Sequence, residues 1–194
     1  MGNIPCILKH IVAASVVSAG ISGPLRGQDS GGQAATGLQT DSLLEELRQA
    51  DENSWEAIEK RIWTAWSRSG SAAMDLLLKR GQDAIDAGDF AAAVEHLTAL
   101  VDHAPDFAEA YDTRALAYYK LGRYGPALAD IATTLRLNPH HFGAMSGLAS
   151  ILEETDRDRE ALEVYRRILE IHPHKPEARE GARRLEQKIE GTRL

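Results

Sequence analysis

The side chains best suited to chemistry in this 194-residue sequence are imidazoles and carboxylates. His140-His141 and His172-Pro173-His174 fall at matching turns, and imidazole is a common ligand for zinc or copper. No cysteine stands beside them, and no histidine pair sits one helical turn apart as in HExxH. They read as polar turn residues open to adventitious binding, with metal handling as an alternative; no metal site and no cofactor are expected. Glu153, Glu154 and Asp156 crowd three carboxylates together without a visible pocket, which is the pattern of a solvated helix end. The sequence has no GxSxG elbow, no GxxxxGK[ST] loop and no GxGxxG following a strand. Cys6 is the sole cysteine and lies in the leader, so redox and thiolate mechanisms drop out as well. The protein is expected not to be an enzyme, and the catalytic site is none.

The elements that must carry these residues follow from composition and spacing. A formal charge of −7 and a pI near 5.5 give no clustered surplus of Lys and Arg, so nucleic acid is not an expected partner. Lys9 and His10 precede IVAASVVSAGISG, an apolar run rich in small residues and too short to span a bilayer. Residues 1–19 therefore read as a signal peptide, with Val17 and Ala19 at positions −3 and −1, and the protein is expected to be periplasmic or secreted. An uncleaved anchor or a simple tail is the alternative. After cleavage no stable membrane insertion is expected. Residues 20–40 have the Gly, Ser and Gln content of a flexible linker.

Beyond residue 74 the chain repeats. Pro105, Pro139 and Pro173 are spaced by 34, as are Ala93, Ala127 and Ala161, and Leu97, Ile131 and Tyr165 keep the same step. Small residues stand where two antiparallel helices cross, large ones fill the next gap, and each proline stops a second helix. Helices are expected at about 72–87, 90–103, 107–121, 124–137, 141–154, 158–171 and 176–190. Gly88 and Gly122 mark the turns inside the first two units, and Asp156 takes that place in the third.

This pattern resembles the tetratricopeptide (TPR) repeat, W-x₂-L-G-x₂-Y…A-x₃-F…P. Tyr111, Ala115, Tyr118, Ala127 and Pro139 occupy its places in the second unit; the first lacks the usual aromatic where Ala84 sits, and the third is the loosest match. The resemblance implies an all-α fold, an α-α superhelix of helical hairpins with repeats at 74–107, 108–141 and 142–175. Residues 176–194 form a C-terminal capping helix with a polar outer surface.

Residues 41–73 carry two more helical signals, Ser42 with Glu45 and Asn53 with Glu56, each like a capping box. They predict a helical hairpin serving as an N-terminal cap or degenerate repeat. All three tryptophans fall here. Trp55, Trp63 and Trp66 mark a possible docking hairpin, because three such rings exceed what capping demands.

Proteins resembling TPR arrays bind peptides or partner domains on a concave face lined by the first helix of each repeat. Carried over by position, that face presents Asp75, Leu78, Gln82 and Ile85, then Glu109, Asp112, Leu116 and Tyr119, then Ser146, Ser150 and Glu153. Some family members grasp a terminal carboxylate with Lys, Arg and Asn there; Leu78, Gln82, Asp112, Leu116, Ser146 and Ser150 do not supply that clamp. The acidic residues imply a basic or neutral protein or peptide partner. The expected role is a non-catalytic interaction or assembly scaffold. The alternative is an accessory or regulatory subunit of a cell-envelope enzyme, docked through the tryptophan hairpin.

Overall fold

A computed structural model describes residues 30–191, with side chains from residue 39 onward. The expected signal peptide at residues 1–19 lies outside the described residues, as does the linker up to residue 29. The described residues form nine helices and no strand: α1 Ser30–Gln49, α2 Trp55–Trp66, α3 Ala72–Asp86, α4 Phe90–His103, α5 Ala108–Lys120, α6 Tyr124–Leu137, α7 Phe142–Glu154, α8 Asp158–Ile171 and α9 Pro176–Gly191. None of them is long and apolar enough to cross a membrane.

Pairs α3–α4, α5–α6 and α7–α8 are the three repeats, and they stack into an α-α superhelix. Their crossing residues do what the 34-residue period requires. Ala93, Ala127 and Ala161 are fully buried, and Leu97, Ile131 and Tyr165 pack beside them. Gly81 lets α3 come close to α4, since a Cβ there would lie 2.5 Å from Leu97 Cγ. The turns within the repeats need a left-handed residue, supplied by Gly88 (φ 76°), Gly122 (φ 68°) and, without glycine, Asp156 (φ 57°). Ala104, Asn138 and His172 end the second helices immediately before Pro105, Pro139 and Pro173. Helix α9 closes the array with Ala178, Ala182 and Leu185, its charged side outward.

Before the repeats the chain departs from expectation in three ways. Ser30–Thr40, expected as linker, is helical and continuous with the packed Leu43, Leu44 and Leu47. Gln33, Ala34, Ala35, Leu38 and Gln39 are adequate helix formers, so a helix anchored downstream extends back through them. Ser42 consequently lies inside α1 rather than at its start. The second capping box is also replaced. Ser54 stands at the N-cap of α2 without capping it, while Asp51 accepts from Asn53 N–H (2.9 Å) and the Ser54 hydroxyl (2.7 Å).

The third departure concerns placement. The α1–α2 hairpin does not stack in front of the first repeat, to which it is joined, but folds back onto the third. Leu43, Leu44, Leu47, Ile58 and Ile62 share one core with Phe142, Met145, Leu148, Ile168 and Ile171. The first repeat keeps a separate core of Leu78, Ala93, Leu97, Leu100 and Val101 with Ala110 and Ala117. Arg48 Nε donates to Glu170 O (3.3 Å), and His174 Nε2 bonds Ala50 O (2.9 Å), pinning the corner of the hairpin to the last inter-repeat turn.

Candidate functional site

Helices α3, α5 and α7, the first of each repeat, pack side by side, and α2 runs across the starts of α7 and α9. Its side chains mark the path in order. Trp55 meets the His172 ring at 5.3 Å, and Glu59 takes an ion pair from Lys175 (2.6 Å) with His172 Nε2 at 3.6 Å. One turn on, Trp63 packs edge-on against Phe142 (5.2 Å) and His141 (5.6 Å), and Trp66 stacks on His141 at 4.4 Å and 18°. Trp63 fits only because residue 143 is glycine. A Cβ there would lie 2.5 Å from the indole.

His141 is the centre of this junction and is fully buried. It caps α7, with Ala144 N–H donating to Nδ1 (3.1 Å). That bond fixes the tautomer: Nδ1 offers its lone pair, so Nε2 carries the proton and donates to Glu109 Oε2 at 3.1 Å. Asp112 holds an oxygen 3.9 Å from Nδ1. Burial pushes the Asp112 carboxyl up to about 6, against the pull of His141 and with the help of Glu109. Burial works against a charge on His141 too, but Asp112 and Glu109 outweigh it and raise the ring above its ordinary value. Both imidazole nitrogens are committed within the protein, so His141 ties the start of α7 to α5.

The expected groove residues divide accordingly. Glu109 and Asp112 face His141, and Asp75 accepts from Ser69 N–H (2.8 Å) and the Ser69 hydroxyl (2.6 Å). Glu153 accepts from Tyr165 OH (2.7 Å) and pairs with Arg184. Leu78 is buried in the first core. Ser146 and Ser150 donate to carbonyls of their own helix, at 3.0 and 3.1 Å. Gln82, Ile85 and Tyr119 are half-buried, and Leu116 is 43% exposed. Tyr119 and Tyr124 both donate to Glu154, which pushes the Tyr119 phenol up to about 12. Trp55, Trp63 and Trp66 turn toward their own third repeat.

Sequence reasoning missed the junction, although one signal was present. Residue 143 is Gly where the neighbouring units have Glu109 and Glu177, and residue 141 is His where they have Phe107 and Lys175. A second missed contact is the bidentate pair of Arg114 with Asp130 (2.7 and 2.8 Å), extended to Thr98 (3.2 Å), which ties the first repeat to the second.

With this geometry in view, a tetratricopeptide repeat family model matches residues 78–111 and 113–176. The chain belongs to the tetratricopeptide repeat family. It is 34% identical to a TPR repeat-containing protein of Rhizobium etli over 154 residues, which is 79% of this chain and 76% of that one. Over 81 residues it is 36% identical to the protein SGT1 homolog of Homo sapiens, of whose length this covers 22%. Among solved structures, this TPR array is similar to the first TPR of Spaghetti (RPAP3) bound to the HSP90 peptide SRMEEVD. That likeness has a TM-score of 0.57 and 25% identity over 60% of this chain and 94% of the other.

Proposed function

We propose that this protein is an exported, non-catalytic scaffold that binds a partner segment on the open part of its concave face, from Gln82 and Ile85 across Leu116 and Tyr119 to Ser150. The observation that carries this is Leu116, a large apolar side chain left 43% exposed on the inner helix of the middle repeat. Its flanking groove residues are uncharged. Because Asp75, Glu109, Asp112 and Glu153 are engaged inside the molecule, the face favours a neutral, partly apolar segment. A peptide-bound relative supports the mode of binding, while the residues at positions 78, 82, 112, 116, 146 and 150 do not form a carboxylate clamp. The competing role, docking to an enzyme through the tryptophans, is less well supported because those rings pack against the third repeat.

The test is photo-crosslinking in cells from probes at Leu116 and Tyr119, with a control probe at Arg136 on the second helix of that repeat. The same partner peptide should be trapped from both groove positions and not from the control. Repeated failure with folded protein would count against the groove. Export is tested separately by the mass of the mature chain, expected to begin at Gly20.

A further inference from the structure

Two adjacent glutamates end α7 in different circumstances. Glu153 pairs with Arg184, whereas Glu154 is exposed and forms no ion pair among the described residues. What holds Glu154 is a pair of phenols: Tyr119 of α5 donates to Oε1, and Tyr124, at the start of α6, donates to Oε2. Neutral donors fix a carboxylate in place without cancelling its charge, and these two keep the carboxyl below its ordinary range. The rings themselves lie 6.0 Å apart, inclined by 25°.

The hydrogen-bond inventory of this corner is one-sided. Both phenol protons are given to Glu154, so the hydroxyl oxygens have only lone pairs left to offer, as does the carboxylate. A partner's carboxylate or carbonyl finds no donor there. A group made only of donors, a guanidinium or an ammonium, meets acceptors, a negative charge and ring faces together. Lys120 already rests its Nζ 5.7 Å from the centre of the Tyr119 ring, without pairing with the carboxylate. Leu116 precedes Tyr119 by three residues on α5, so the exposed apolar side chain and the phenol are neighbours on one helix face, with Cβ atoms about 5–6 Å apart.

We propose that Tyr119, Tyr124 and Glu154 form a cation-binding corner at the α5–α6 turn end of the concave face, taking an arginine or lysine side chain of a partner segment whose apolar neighbour covers Leu116. The proposal rests on reading the concave face as the binding surface and deepens it: the segment is neutral and partly apolar along the groove and carries one positive charge at this end. Arginine suits the corner better than lysine. The flat fork of a guanidinium can serve the carboxylate and a phenol oxygen together and lie against a ring, whereas an ammonium brings a single point charge.

The test titrates the full chain with acetyl-Leu-Arg-amide and with its uncharged counterpart acetyl-Leu-citrulline-amide, followed by backbone amide NMR. The arginine probe should bind about fivefold or more tightly than the citrulline probe, the combined effect of one exposed ion pair and one cation–π contact. Its largest shifts should fall at Tyr119, Tyr124 and Glu154. Glu154→Gln, which keeps the shape and removes the charge, should bring the two probes to equal affinity. Equal affinities in the wild-type chain, shifts that avoid Glu154, or an undiminished preference in Glu154→Gln overturn the corner. Should Glu154→Gln lose helix content by circular dichroism, the wild-type comparison decides: arginine-specific shifts at Tyr124 and Glu154 support the corner and their absence overturns it. Crosslinking from Leu116 answers separately whether a segment lies in the groove; a trapped segment with no arginine or lysine beside the crosslink leaves the groove standing and removes the corner.

Discussion

The two ends of the array are finished in opposite ways. In the first repeat the leading face of α3 is open, and Leu76 is 50% exposed where Ala110, Ala144 and Ala178, one, two and three repeats on, are buried. The third repeat is closed on two sides, by α9 behind it and by the hairpin along its rim. The unit with the loosest match to the TPR pattern thus has the most support, and the segment joined to the first repeat stabilises the third. A repeat array is ordinarily a one-dimensional sum of neighbour interfaces. Contacts such as Arg48 to Glu170 and Ala50 to His174 join the start of the described chain to the last turn, so unfolding of the third repeat and release of the hairpin are coupled.

The largest test of that difference compares Phe142→Ala with Leu76→Ala. Phe142 is fully buried and touches Trp63, Trp66 and His172. Its loss should cost about 3–5 kcal/mol in urea unfolding and release the hairpin as well. Leu76→Ala should stay within about 0.5 kcal/mol. Equal costs would dissolve the distinction between the ends. Next in size is Arg114→Ala, which strands Asp130 at 7% side-chain exposure and should cost about 3 kcal/mol, loosening the first repeat from the second. Arg114→Met should cost no less, because Asp130 remains unpaired in either variant.

A smaller and more local effect is expected at Gly143. Gly143→Ala drives a methyl into Trp63 and should cost about 1–3 kcal/mol, with tryptophan emission shifting to the red while the helix content of the repeats is kept. Gly125→Ala meets nothing within 4 Å and should be neutral or stabilising by up to about 1 kcal/mol. If Gly143→Ala leaves the emission unchanged, α2 is not seated as described. Acid should detach the hairpin by a separate route. Glu59 is held at about 2, where burial is overcome by His172 and Lys175, so its support is complete above 4.5 and is lost as pH falls from there to about 2. Glu59→Gln should flatten this acid limb in a tryptophan-fluorescence titration carried from about pH 5 down to about pH 2.

The repeats were legible because their periodicity is a packing requirement: Ala93, Ala127 and Ala161 announce helix crossings, and Pro105, Pro139 and Pro173 announce helix ends. The hairpin was legible as two helical signals, but its seat was not. Leu43, Leu47, Ile58 and Ile62 require an apolar partner without specifying which repeat supplies it. The groove residues were placed by position alone, and position says which way Glu109 points but not that His141, 32 residues away, will meet it. Charges read as a surface for a partner were largely spent on internal bonds, because long-range pairing leaves no periodic trace.

The smallest expected effect lies at the turn that breaks the glycine pattern. Gly88 and Gly122 hold their turns at positive φ without strain, whereas Asp156 does so at φ 57° with a Cβ to accommodate. Replacing either glycine by alanine should cost about 1 kcal/mol, since a left-handed alanine is disfavoured by that much. Asp156→Gly should go the other way, by about 0.5 kcal/mol, because relief of strain is partly offset by the freer unfolded chain. Lys188 of α9 feels the Asp156 charge, but its direct ion pair is with Asp158 at 2.7 Å, so little attraction is lost. The shift of the urea midpoint at constant slope measures the balance. A gain would mean that the third repeat tolerates a strained turn because α9 and the hairpin hold it; a loss as large as that of Gly88→Ala would mean that Asp156 itself fastens α9, making the closed end depend on its turn as well as on its neighbours.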